Sequence, residues 1–255
     1  MDLLSLLTPE GLSSWSSALL IAMSCLTSAM TAAFGIGGGL TLIAVMIPLV
    51  PIHALVPVHG LVQLGSNSGR AILQVRHARW DILALFAIGA VVGAIIGGMV
   101  VVDVPEVALK LGVGVFVLWS VWGRMPAIGE GNRVLLSIGG AISTLLSMFV
   151  GATGPFVMAL YAHARFTKEE LVATFAGSMV MQHCLKVLAF GALGFAYGDW
   201  LPLAAVMIAA GFAGTVIGTK VLRRLPERIF RIALKILLTL IGIELVLTAL
   251  PKLLG

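Results

Sequence analysis

The stretch TAAFGIGGGLTLI, Thr31 to Ile43, puts four glycines into five positions, Gly35 and Gly37 to Gly39, in the middle of an almost uncharged apolar region. Glycine weakens a helix interior, and it enters backbone conformations with φ > 0 that other residues avoid. The stretch therefore reads as an interruption between two helical segments. What surrounds it decides what an interruption there can mean.

Of the 255 residues, 60% are apolar and only 11% charged, and the mean hydropathy is +1.11. Apolar runs follow one another from Leu12 almost to the C-terminus, and they are continuous rather than alternating. That pattern belongs to an all-α polytopic membrane protein and excludes both a soluble core protein and a β-barrel. The formal charge of +5 sits mostly in short loops and gives no reason to expect a nucleic-acid partner. The expected partners are the lipid bilayer and a small anion, with pairing into a homodimer left open. Cys25 and Cys184 lie inside apolar runs with no metal-ligand spacing and read as small buried residues. No cofactor is expected. Asp2 and Glu10 are the only charges before the first apolar run, so no basic region of a cleavable signal is present.

Ten apolar elements are expected, at about 12–33, 40–50, 53–75, 81–102, 106–122, 134–149, 155–163, 168–192, 200–222 and 227–249. The second and seventh are too short to cross a hydrocarbon core of about 30 Å at about 1.5 Å per residue. Each follows a glycine-rich tip, Gly35–Gly39 in one case and GATGP, Gly151–Pro155, in the other. A shift of 116 residues places Gly35 on Gly151, Gly38 on Gly154, Asn67 on His183 and Arg70 on Lys186; a shift of 121 places Gly93 and Gly97 on Gly214 and Gly218. The chain thus reads as one transmembrane domain, 1–255, made of two repeats, 12–122 and 134–250, joined by a cytoplasmic linker, 123–133.

Basic residues mark alternate loops: Arg70, Arg76 and Arg79; Arg124 and Arg133; Arg165 and Lys168; Arg223, Arg224 and Arg228. By the positive-inside rule these loops are cytoplasmic and both termini periplasmic. Five elements per half is odd, so the halves enter the membrane in opposite senses, an arrangement common in secondary transporters. Glycine tips from opposite sides would then meet near the midplane. Short helices beginning at about Gly39 and Pro155 would point free N–H groups and positive dipole ends at an anion. Tight helix packing is the alternative reading of these glycines.

The candidate substrate-binding residues are Gly35, Gly37, Gly38, Gly39, Gly151, Thr153 and Gly154 at the tips. Gln63, Ser66, Asn67, Gln182, His183 and Lys186 join them from the long elements between. Polar groups inside a span face protein or a water-filled cavity, where they either bind a ligand or join helices. Arg70, nearer the cytoplasmic end, reads as a snorkelling side chain. Gly89, Gly93 and Gly97, repeated as Ala210, Gly214 and Gly218, read as packing ridges. Trp15, Trp80, Trp122 and Trp200 fall at expected span ends, where an interfacial belt accounts for them. No Ser/His dyad, His/Glu metal pair or paired carboxylate lies at depth, so an enzyme is not expected.

The chain resembles the TauE/SafE family of sulfite exporters. The resemblance rests on FGIGGGLTLI, on SNSGRAILQVRHARWD, on GAVVGAIIGG and on FVGATGPFVMALY, in that order and at that spacing. VPVHG, Pro57 to Gly60, departs from the small hydroxyl pair that many members carry early in the third span. The resemblance implies export of a sulfite-, thiosulfate- or sulfoacetate-like anion across a bacterial cytoplasmic membrane. An anion channel or importer of the same architecture, for another small carboxylate or oxyanion, is the alternative.

Overall fold

The computed structural model describes residues 7–34, 37–101, 105–123, 133–161, 166–221 and 227–254. Among them are helices α1 (Ser14–Phe34), α2 (Gly38–Met46), α3 (Ile52–Gln74), α4 (Trp80–Val101) and α5 (Glu106–Trp122). These are followed by α6 (Arg133–Val150), α7 (Gly154–Tyr161), α8 (Lys168–Ala192), α9 (Leu201–Val221) and α10 (Glu227–Leu254). The fold is an all-α polytopic membrane protein. Segments of α1, α4, α6 and α8, and a fifth running from Tyr197 into α9, are long and apolar enough to cross a bilayer. The linker expected at 123–133 falls mostly outside the described residues, as does Gly35.

Element ends follow local chemistry. Pro51 and Pro105 stand immediately before α3 and α5, where a missing N–H costs nothing. Thr167 and Glu170 form a capping box on α8: the threonine oxygen accepts from the Glu170 N–H at 3.2 Å, and the glutamate accepts from the Thr167 N–H at 2.8 Å. Between α3 and α4, Arg79 makes a two-pronged ion pair with Asp81, at 3.0 and 2.8 Å. That hydrogen bond, with the carboxylate charge behind it, raises the guanidinium pKa above its ordinary value. The Arg79 backbone N–H also donates to Thr174 on α8 at 3.0 Å, so this end of the loop is tied to both α4 and α8.

Burial is inverted relative to a water-soluble protein. Ile88 and Met99 on α4 are 62% and 73% exposed, while Arg70 is 7% and Lys186 0% exposed. Lipid covers apolar side chains without penalty, and polar groups must turn inward. Among the described residues the core has two parts, one around Leu42, Ile43, Met46, Leu55 and Met207, the other around Phe86, Leu160, Tyr161 and Met179.

Glycine ridges set the closest helix contacts. α4 lies on α6, with Gly89 and Gly93 against the carbonyls of Ser137 and Ala141; α9 lies on α1, with Gly214 and Gly218 against those of Cys25 and Ala29. A Cβ at any of these glycines would overlap the facing backbone. The packing reading of both ridges is therefore correct. α3 packs along α8 and α5 along α10, and the latter pair is pinned by Lys235 over the Trp122 ring at 3.7 Å.

Three sequence expectations change. Cys184 is exposed and Cys25 only partly buried, because both sit on faces that a uniformly apolar helix does not distinguish from its interior faces. Trp200 is 6% exposed and belongs to the core, unlike Trp15, Trp80 and Trp122, which are exposed. Arg70 does not snorkel to an interface; it is buried.

Candidate functional site

On α3, His59, Gln63, Asn67 and Arg70 recur at spacings of four, four and three, which places them on one helix face. All four are buried. They line a small pocket, whose other walls come from Gly37, Gly39 and Leu40 at the start of α2, Ala152 to Pro155 at the start of α7, and Phe175, Met179 and His183 on α8. Thr31 of α1 completes it.

The polar wall is prearranged. Asn67 Nδ2 donates to the Gln63 carbonyl at 2.7 Å and to Gln63 Oε1 at 3.1 Å, and Asn67 Oδ1 accepts from Arg70 Nη2 at 2.7 Å. The second terminal nitrogen of Arg70, Nη1, is buried without a hydrogen-bond partner. His59 Nε2 lies 2.9 Å from the Gly39 carbonyl. A carbonyl can only accept, so Nε2 carries the proton. His183 faces His59 edge-on with ring centres 5.9 Å apart, and its Nδ1 is also buried and unpartnered.

The glycine turns present helix N-termini to this space. Gly37 has φ 103° and Gly151 φ 83°, the left-handed conformations expected there. The first helical carbonyl of α2 is that of Gly37, which accepts from Thr41 N at 2.9 Å. Gly39 and Leu40 therefore have no carbonyl of their own helix to bond. The Gly38 N–H is taken by Thr31 Oγ1 at 3.1 Å. In α7 the corresponding carbonyl is that of Thr153, bonded by Val157 N at 3.1 Å. The Thr153 hydroxyl is held by Gln182 Nε2 at 2.8 Å, and Ser143 donates to Gln182 Oε1 at 2.8 Å.

Of the residues singled out from sequence, Gly37, Gly39, Gln63, Asn67, Thr153, Gly154 and His183 line the pocket. Gly38, Ser66, Gly151, Gln182 and Lys186 stand behind its wall. Ser66 pairs with Ser28 at 3.0 Å, and Lys186 Nζ donates to the Gly151 carbonyl at 2.6 Å. The short helices begin at Gly38 and Gly154, one residue before the expected starts. Sequence reasoning missed Arg70 and His59 as wall residues. The signal for Arg70 was its register with Lys186, and for both it was the shared α3 face with Gln63 and Asn67.

One cationic side chain, Arg70, and two helix N-termini converge here with the amides of Gln63 and Asn67 and the hydroxyls of Thr31 and Thr153, while Lys186 stands behind the wall. Among the described residues no Asp or Glu is buried, and the ion pair Arg79–Asp81 lies at the surface. A polar pocket inside a polytopic helical protein, lined from α1, α2, α3, α7 and α8, is the arrangement of a membrane transporter. The sulfite exporter TauE/SafE family model matches residues 20–245, and the chain belongs to that family. It is a transporter family, not an enzyme family. The chain is also 25% identical over 182 residues to the protein described as "Probable inner membrane transporter protein TsaS" of Comamonas testosteroni; that match covers 68% of this chain and 74% of the relative. No solved structure matches the chain.

Proposed function

We propose that the protein exports a small sulfur-containing oxyanion or organosulfonate, of the sulfite, thiosulfate or sulfoacetate kind, across the bacterial cytoplasmic membrane through the pocket between its two glycine turns. The observation that carries this reading is Arg70: a buried guanidinium with one nitrogen unpartnered and, among the described residues, no carboxylate beside it, facing two helix N-termini. A buried charge left in that state calls for an anion. The direct contacts in this reading are Arg70, Gln63, Asn67, His183, Thr153 and the N–H groups at the starts of α2 and α7.

The reading includes two repeats inserted in opposite senses, with both termini periplasmic and the short helices entering from opposite faces. Its support is that the packing survives exchange of the halves. α4 on α6 becomes α9 on α1, and Gly93 against Ala141 becomes Gly214 against Cys25, each partner displaced by the sequence shift of its own segment.

The test is thermal unfolding of detergent-purified protein with sulfite, sulfate, thiosulfate, sulfoacetate and taurine. A ligand of the native state at a hundred times its Kd adds about 2.7 kcal/mol. Stabilisation by at least one sulfur anion, lost in Arg70→Gln, is the expected result. No stabilisation by any of them, or stabilisation that persists undiminished in Arg70→Gln, overturns the proposal.

A further inference from the structure

Lys186 is the repeat counterpart of Arg70, yet the two cations are used differently. Arg70 lines the pocket, while Lys186 is fully buried behind it, its ammonium donating to the Gly151 carbonyl at 2.6 Å. Its stem fits a slot made by Gly60 on α3: a Cβ on Gly60 would lie 2.8 Å from Lys186 Cδ and 3.4 Å from Cγ. Gly151 has φ 83°, and its N–H is bonded to the Ser147 carbonyl at 3.0 Å. Both polar backbone groups of this one residue are thus held, and the segment that follows, Ala152 to Pro155, is the one that lines the pocket.

We infer that Lys186 is a positioning residue and not an anion ligand: it tethers the Gly151 turn so that Thr153 and the first N–H groups of α7 are aimed into the pocket, and Gly60 is the slot that admits it. The inference rests on the pocket being the anion site. Three features separate tether from ligand. The ammonium is engaged by a backbone carbonyl, the side chain is absent from the pocket wall, and the α3 face opposite it has been reduced to a hydrogen atom. A ligating lysine would need none of that accommodation at its stem.

The experiment is concentration-dependent flux in proteoliposomes, per amount of folded protein, using whichever radiolabelled anion of sulfite, thiosulfate and sulfoacetate gives the largest flux. Misaimed donors weaken binding, so Lys186→Met should raise KM at least about tenfold with the maximal rate within about threefold. General damage would lower the maximal rate instead. Lys186→Gln keeps a donor for Gly151 without the charge and should restore KM to within about threefold of the parent. Gly60→Ala should raise KM like Lys186→Met, and it should add nothing in a Lys186→Ala background.

Parental KM in Lys186→Met, or Lys186→Gln as impaired as Lys186→Met, overturns the inference while an impaired Arg70→Gln leaves the pocket standing. If Lys186→Met does not fold, Gly60→Ala decides, and parental KM in it overturns the tether. Parental KM in Arg70→Gln overturns the pocket reading and this inference together.

Discussion

Asn67 holds Arg70 from one turn away on the same helix, its side-chain oxygen accepting from Nη2 at 2.7 Å while Nη1 is left bare. The asparagine is in turn fixed through its amide nitrogen to Gln63. Removing Asn67 therefore loosens the guanidinium and also releases the Gln63 side chain that it holds. Asn67→Ala should cost about 1–3 kcal/mol of anion binding, as should His183→Ala. Lys235→Ala, which removes an exposed cation from the Trp122 ring, should leave binding unchanged. Titration of the purified variants by calorimetry checks the contrast, and equal losses in all three would point to general damage.

The glycines of the two turns are not interchangeable. Gly37 and Gly151 have positive φ, so alanine at either should destabilise by about 1–2 kcal/mol from backbone strain alone. At Gly151 the new methyl also collides with Ile43. Gly154→Ala meets only Phe175 Cζ at 3.5 Å, an ordinary contact, and should stay within about 0.5 kcal/mol of the parent. Tryptophan-monitored thermal unfolding in detergent separates the two classes.

Ridge glycines are held to a stricter limit. Gly93→Val and Gly214→Val would each drive a side chain into a facing backbone, so both should lose about 1–3 kcal/mol or more. Gly112 on α5 faces open space where a methyl would go, and Gly112→Ala should be neutral or stabilising by up to about 1 kcal/mol. Yield of monodisperse protein and its unfolding temperature measure both effects.

The proposed orientation makes a direct forecast. Reporter tags at either terminus, and at Asp199 before α9, should respond as periplasmic in an active protein, whereas a tag beside Arg79 should respond as cytoplasmic. Cytoplasmic signals from both termini would reverse the assignment.

Flux should be electrogenic. About 100 mV, negative inside, is worth roughly 2.3 kcal/mol for each charge moved and pushes an anion outward. Among the described residues no carboxylate is buried to build a cation cage. Labelled-anion efflux under clamped potassium-diffusion potentials, with sodium absent and pH equal on both sides, should rise with inside-negative voltage. Flux indifferent to voltage but dependent on a sodium or proton gradient would contradict this.

Helix positions were legible because glycine, proline and charge punctuate a uniformly apolar chain. The run read as 53–75 is the helix Ile52–Gln74, and the two short runs are helices of nine and eight residues. Side-chain direction was much less legible. Trp200 and Trp80 both stand at helix starts, yet one is buried and the other exposed. Arg70 could reach an interface by length alone, and its inward turn depends on Asn67, whose location one turn away has meaning only once α3 is known to face α8. In lipid the contrast between an inward and an outward apolar face disappears, so the pattern that orients a soluble helix is missing.

The docking of α4 on α6 and of α9 on α1 has a consequence for how the protein is made. These contacts, like those of α3 with α8 and α5 with α10, join helices of α1–α5 to helices of α6–α10, so a ribosome that has completed only α1 to α5 has delivered helices without their closest neighbours. Cys25, Ala29 and the serine-bearing side of α1 must wait in the bilayer until α9 emerges. Until then the nascent chain carries an unpaired groove, which is the state that membrane quality-control proteases would meet first.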